Sequence, residues 1–382
     1  MNILDDRQKL RSTAHGATEP AGAKTLYLMN RGGDMAVSLD DCLVIGVASS
    51  ALFDLKESND VFVEQGEEEY RKFQEEHLDD PLSPGVAFAF IKRLLSLNDL
   101  GNESDSPLVE VIVLSHNDPD TGLRVMRSIQ HHGLAITRAV FRQGRSPHKF
   151  MPAFNMSLFL SGNGDDVRQA VADGHPAGLV LGQTVFDSDD TDDLRIAFDF
   201  DGVLGSDESE RVMQESGLDD FHSNEVDKVQ VPLTPGPLRD LLAGVNRIQR
   251  IEVQRRLDDP TYRIRVHVAI VTARNAPSHE RAVRSLKSWG VTVNDAFFLG
   301  GVSKTKVLEI LKPHIFFDDQ VKHLVPASQV APCVHIPFGI TNTDIPRQQR
   351  SAQRVRTKKW RSLRENWHSR IGTAKHAPSD HV

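Results

Sequence analysis

The sequence predicts an α/β protein made of two Rossmann-like three-layer α/β/α units, and three observations predict it. Short apolar runs alternate with stretches of helical length, as βαβ crossovers require. Two of those runs, Val109–Leu114 and Val266–Val271, are apolar almost throughout, as strands covered on both faces of a parallel sheet must be. The chain also matches itself. Under a shift of 151 residues, Ile45-Gly-Val-Ala-Ser-Ser-Ala-Leu-Phe53 falls on Ile196-Ala-Phe-Asp-Phe-Asp-Gly-Val-Leu204, Glu57-Ser58 on Glu208-Ser209, and Pro81–Gly85 on Pro232–Gly236. Further on the shift becomes 157, and Arg124, Arg127, Ser128, Gly133, Phe141 and Lys149 fall on Arg281, Arg284, Ser285, Gly290, Phe298 and Lys306. So many matches in one order read as an internal duplication.

The first unit, 43–185, opens with a strand at Leu43–Val47. A Pro-Gly turn leads to a helix at Ala87–Leu97, then come a strand at Val109–Leu114, a helix at Gly122–His132, and strands at Ile136–Phe141 and Ser157–Leu160. The second unit, 194–340, repeats the plan: strand Leu194–Phe200, helix Leu238–Ile251, strand Val266–Val271, helix His279–Trp289, and strands Val291–Leu299 and Ile315–Phe317. Its segment from Glu210 to Arg263 is too long for one crossover, so a small helical cap is expected within about 210–263. Residues 1–42 are left as an N-terminal extension and 341–382 as a basic tail.

Composition narrows the function classes. The 382 residues are 39% hydrophobic and 26% charged, with a net charge of −8, so the body has no bulk attraction for phosphate polymers. No apolar run reaches the roughly 18 residues that cross a bilayer. Met1–Lys24 lacks the apolar centre of a secretory signal. Cys42 and Cys333 stand far apart, which fits two reduced thiols in a cytoplasmic protein. The tail carries Arg350, Arg354, Arg356, Lys358, Lys359, Arg361 and Arg364. It suits either an acidic partner such as nucleic acid, or a solvated amphipathic helix whose Trp360 and Trp367 pack back on the body; the second is preferred.

The chemistry falls in the second unit. Asp199 and Asp201, spaced by two at the end of an apolar strand, share a face of that strand, and Gly202 allows a sharp turn after them. Ligands of open α/β sheets bind beyond the carboxyl ends of strands, where these acids fall. Thr272 ends the next apolar strand, Lys304 and Lys306 follow Gly300-Gly301, and Asp318-Asp319 end the run His314–Phe317. Each has a dull explanation alone, but in this order they form a constellation.

That order, Asp-x-Asp-Gly-Val, then Thr, then Lys, then Asp-Asp, resembles the four-motif signature of the haloacid dehalogenase superfamily. The phrases Asp199–Glu210, Pro313–Gln320 and Ala51–Ser58 further resemble the cytosolic 5′-nucleotidase type I family, over roughly 43–340. Gly205 departs from the pattern, where a bulkier residue is expected. The resemblance implies a HAD-like fold and a magnesium-dependent 5′-nucleotidase that favours AMP. It makes Asp199 the nucleophile that forms an aspartyl-phosphate, and Asp201 the general acid and base. Thr272 and Lys304 would hold the phosphoryl oxygens. Mg2+ would take Asp199, the carbonyl of Asp201, and one of Asp318 and Asp319. Superfamily spacing favours Lys304, whereas the internal match favours Lys306, whose counterpart is Lys149 while Lys304 faces Pro147. Arg274, Asp207, Lys306, Ser115 and Asn117 are the candidate substrate contacts.

In the first unit Ala48 and Ser50 stand in place of Asp199 and Asp201, and Ser161 and Gly162 in place of Asp318 and Asp319. That copy is expected to be hydrolytically silent, either helping to form a nucleoside or effector pocket around Ser115–Asp118 or serving as scaffold. The alternatives to a nucleotidase are a phosphatase of another small phosphate ester and a non-catalytic nucleotide- or nucleic-acid-binding protein. A regulatory nucleotide and a homo-oligomer are both left open.

Overall fold

Each apolar run read as a strand forms one in the computed structural model, which describes residues 38–101, 106–182 and 191–342. The first half runs β1 (Leu43–Val47), α1 (Lys56–Gln65), α2 (Glu67–Glu76), α3 (Phe88–Ser96), β2 (Val109–Ser115), α4 (Pro119–His131), β3 (Arg138–Phe141), β4 (Met156–Ser161), α5 (Gly164–Ala172) and β5 (Ala177–Leu181). The second runs β6 (Leu194–Phe198), α6 (Glu208–Ser216), α7 (Leu218–Asp227), α8 (Arg239–Asp258), β7 (Val266–Thr272), α9 (His279–Ser288), β8 (Asp295–Phe298), α10 (Lys304–Leu311), β9 (Ile315–Asp318), α11 (Val321–Ala327) and β10 (Cys333–His335).

Among the described residues ten strands form one sheet in the order β3-β2-β1-β4-β5-β10-β9-β6-β7-β8. Every neighbouring pair is parallel except β5 and β10, which meet antiparallel through Cys333–Leu181, Val334–Val180 and His335–Leu179. The fifth strand of each half was missing from the sequence reading, and it is this pair that joins the halves. Gly178 makes the junction possible, because a Cβ there would lie 2.3 Å from Val334 Cγ1. The α/β class expected from the sequence is thus met as one mostly parallel sheet that runs through both halves.

Counted outward from the junction, both halves have the same strand order, and contacts recur between them. Arg124 donates through Nε to the Asp80 carbonyl (3.0 Å) and through a terminal nitrogen to Gln74 (3.4 Å). Arg281 does the same to the Val231 carbonyl (2.9 Å) and Glu225 (2.9 Å). The hydroxyls of Ser128 and Ser285 accept from the backbone N–H of Leu82 and Leu233 at 3.0 and 2.9 Å. The segment expected to hold a small helical cap in the second half forms the pair α6–α7, and the first half has a matching pair, α1–α2.

Strand alternation sends side chains to both faces. On one face Leu43, Ile45 and Val47 join Leu194, Ile196 and Phe198, with Phe90 of α3 and Leu241 and Val245 of α8, in a single core that spans the halves. Phe90 shows the continuity directly, since its ring packs edge-on to Phe317 of β9 in the other half. On the opposite face each half has its own smaller core, around Val44, Ile112 and Phe159, and around Ala197, Val271 and Phe316. Cys42 and Cys333 are both free and buried. The residues 1–37 of the expected extension and 343–382 of the basic tail, with Trp360 and Trp367, lie outside the described residues.

Candidate active site

Strand order builds the site. β6 lies between β9 and β7, so the segment after Phe198 sits beside Asp318, the last residue of β9, and Thr272, the last of β7. Asp199 is fixed at the exit of β6, its N–H donating to the Phe317 carbonyl (2.7 Å) and its Oδ1 accepting from the N–H of Phe200 (2.8 Å). Lys304 opens α10 and points inward. Its Nζ lies 2.9 Å from Asp199 Oδ2 and 2.6 Å from Asp318 Oδ2, with all three side chains buried. His323, on α11, brings Nδ1 to 3.2 Å from Asp318 Oδ2.

Gly202 turns the chain at φ 72°, where a Cβ would lie 2.7 Å from Asp319 Cγ. Asp201 is not placed by strand pleating as the spacing predicted, because β6 has already ended at Phe198. Its carboxylate is instead gripped by Arg274, with Nε on Oδ2 (2.7 Å) and Nη2 on Oδ1 (2.6 Å). The Arg274 guanidinium also donates to the Ser278 carbonyl (3.0 Å) and to Glu225 of α7. Thr272 is buried, its Oγ1 accepting from the Arg274 N–H at 3.3 Å. Asp319 turns Oδ2 to the Thr341 hydroxyl (2.7 Å), while its buried Oδ1 finds no partner in the protein.

Three buried carboxylates thus cluster around one lysine. Burial raises Asp199, against the opposing pull of Lys304. Burial, then the Asp199 charge, pushes Asp319 up to about 9. Asp318 is also penalised by burial, but Lys304 and His323 bring it below its ordinary value. Such excess negative charge in a low dielectric calls for a cation. The donor set fits one: Asp199, Asp318 and His323 each offer an atom within 4.8 Å of the others, the unpartnered Asp319 Oδ1 adds an oxygen, and Gly202 leaves room beside it. A mostly oxygen set suits a hard divalent ion.

Not every expected residue comes to this place. Lys306 is exposed on α10, because two residues along a helix turn a side chain to the opposite side; the site lysine is Lys304. Asp207 accepts on Oδ2 from the N–H of Ile340 (2.7 Å), which anchors the turn carrying Thr341. Ser115 and Asn117 also lie away from this cluster. They lie six strand positions from β6, at strand ends directed the opposite way because β5 and β10 are antiparallel. Their partners are first-half groups: Ser49 for Ser115 (3.2 Å), and Tyr70 and Thr121 for Asn117 (both 3.4 Å). Gly205, the odd residue in the motif, lies against the Phe200 ring, which a Cβ would meet at 3.1 Å and which stacks on Trp289.

Sequence reasoning missed His323, Thr341 and Glu225. Glu225 falls on Gln74 under the 151-residue shift, but only the structure shows that Gln74 binds the matched Arg124 as Glu225 binds Arg281. His323 and Thr341 carried no comparable signal.

The 5′-nucleotidase family model matches residues 35–343. Human cytosolic 5′-nucleotidase 1B is 32% identical over 303 residues, covering 76% of this chain and 48% of that protein. The chain therefore spans about half the length of this curated relative. No solved structure matches.

Proposed function

The chain belongs to the 5′-nucleotidase family, and from that premise we propose that it is a magnesium-dependent hydrolase of nucleoside 5′-monophosphates, AMP foremost, acting in the cytoplasm through an aspartyl-phosphate on Asp199. The observation that carries this reading is the buried cluster in which one lysine touches two strand-end carboxylates, Lys304 with Asp199 and Asp318.

Asp199 attacks phosphorus as the bond to the 5′-oxygen breaks, which divides a difficult hydrolysis into two displacements. Asp201 gives its proton to the leaving oxygen, then takes one from the water that cleaves the aspartyl-phosphate. Thr272 and Lys304 hold the non-bridging oxygens, and the ammonium neutralises charge as it spreads over them. Arg274 fixes the plane of the Asp201 carboxylate through two parallel hydrogen bonds. Asp199, Asp318, Asp319 and the carbonyl of Asp201 would hold the Mg2+, which supplies positive charge and orientation to the phosphoryl group. Among the described residues no helix is long and apolar enough to cross a membrane.

We also infer that 43–185 and 194–340 are copies of one unit, the first now hydrolytically silent. The shared strand order and the recurring Arg124 and Arg281 contacts support this. The α6–α7 pair is proposed as the cap of the second.

Phosphate release from AMP, IMP, CMP, dCMP and a sugar phosphate, with and without Mg2+, tests the function. Turnover is expected with nucleotides and Mg2+ only, and Asp199→Asn should lower kcat by about 10³-fold or more. An Asp199→Asn protein that hydrolyses AMP at the wild-type rate would overturn the mechanism. A preference for the sugar phosphate would replace the substrate class.

A further inference from the structure

We infer that Glu225 is a positioning residue, holding the Arg274 guanidinium in the one orientation that presents Asp201 for proton transfer. The inference rests on the hydrolase reading above.

Glu225 is buried on α7, and its carboxylate collects four donors. Arg274 takes Oε2, while Oε1 accepts from Arg281 (2.9 Å), the Ser209 hydroxyl (2.8 Å) and Asn224 (3.3 Å). Burial pushes its carboxyl up, yet Arg274, Ser209 and Arg281 together bring it below the ordinary range. Arg274 lies between the Phe200 and Phe221 rings, 5.2 and 5.5 Å from their centroids. Its planar fork is thus held on one side by Glu225 and the Ser278 carbonyl, and is free on the other only to grip both oxygens of Asp201.

The first half separates what this carboxylate does for the fold from what it does for chemistry. There Gln74 stands in the place of Glu225 and still binds Arg124 of α4, as Glu225 binds Arg281 of α9. A neutral amide is therefore enough to tie the helical pair to the helix packed beside it. The negative charge occurs only in the half where Arg274 replaces Asn117 and Asp201 replaces Ser50. Charge on residue 225 goes with the arginine and the proton-transfer carboxylate, not with the clamp.

Glu225→Gln copies the first half and so should fold. In the full chain with AMP and Mg2+, it is expected to lower kcat on the order of 10- to 100-fold, the scale of a misplaced catalytic group, with KM within about threefold. Against an Asp201→Asn background it should cause no further loss, because the group it positions is already gone. Losses that multiply in the double variant, or a wild-type kcat in Glu225→Gln, overturn the inference. If Glu225→Gln does not fold, Arg274→Gln takes its place in the same cycle with the same two outcomes. A wild-type protein without phosphatase activity would instead sink the functional reading, which keeps the two failures distinct.

Discussion

The two halves of this molecule tie a helical pair and the turn after it to the next helix by matching hydrogen bonds, yet only one collects the buried carboxylates, lysine and arginine of the candidate site. What persists between them is hydrogen-bonding geometry: the arginine on the carbonyl before the Pro-Gly turn, the serine under the next backbone N–H, the order of strands. What differs is charge. Asp199, Asp201, Glu225, Arg274 and Asp318 face Ala48, Ser50, Gln74, Asn117 and Ser161. Buried charges are costly unless they are paired, so a half with no phosphate to bind is better built without them. In the first half the buried carboxylate of Asp166, beside the end of β4, is paired with His116 (2.7 Å) and the Ser161 hydroxyl (3.2 Å). The comparison thus sorts residues into scaffold and chemistry without any second protein.

The largest expected effect tests that sorting at the lysine. Lys304→Met removes the cation that touches both Asp199 and Asp318. It should lower kcat by about 10²- to 10³-fold, the usual cost of losing one group that stabilises transition-state charge. Lys306→Met, the residue matched by Lys149 in the first half, should stay within about twofold of wild type, since its side chain is exposed. Steady-state phosphate release measures both. A larger loss at Lys306 than at Lys304 would mean that the matched position, not the unmatched one, carries the chemistry.

Much of this was legible in the sequence, and the rest was hidden for physical reasons. The three inner strands of each half, β1, β2 and β4 and then β6, β7 and β9, showed as apolar runs because burial on both faces leaves few polar positions to blur them, while the outer strands β3 and β8 are only partly covered. β5 and β10 did not show. One is interrupted by Gly178 and the other is three residues long, so their identity as strands comes from pairing with each other rather than from local pattern. Asp199, Thr272 and the Asp318-Asp319 pair could be placed because each stands at the end of such a run. That Ser115 and Asn117 lie away from the carboxylate cluster was hidden for another reason: the direction of the β5–β10 junction decides which strand ends face the same way. The grip of Arg274 on Asp201, and of Glu225 on Arg274, joins residues 73 and 49 positions apart, and no periodicity reports such pairs.

A smaller effect, on stability rather than rate, sharpens the comparison at the helical clamps. Arg281→Ala leaves Glu225 and Glu208 with less neutralisation beside a buried charge, and should cost about 3–5 kcal/mol. Arg124→Ala strips a neutral amide and a carbonyl of their donors, which should cost about 1–3 kcal/mol. Denaturant unfolding at fixed pH would compare them. A larger loss at Arg124 would show that the first half bears more of the stability than its uncharged contacts account for.

The smallest effect is also the strictest, because it asks for equality. Ser128 and Ser285 are buried on α4 and α9, each with its hydroxyl donating to the carbonyl four residues back (2.7 Å to Arg124, 2.8 Å to Arg281) and accepting from the N–H after the helical pair. Substitution by Ala leaves one buried backbone N–H unpaired in either half, at a cost of about 1–3 kcal/mol. The hydroxyls bond only to backbone groups in these contacts, and the halves differ there by 0.1 Å in each hydrogen bond. Ser128→Ala and Ser285→Ala should therefore lower the unfolding free energy by the same amount to within about 0.5 kcal/mol, and the double variant should show their sum, since sites this far apart share no partner. A clear inequality would mean that the halves do not rest on the same scaffold, and the assignment of Glu225 to chemistry by comparison with Gln74 would lose its footing.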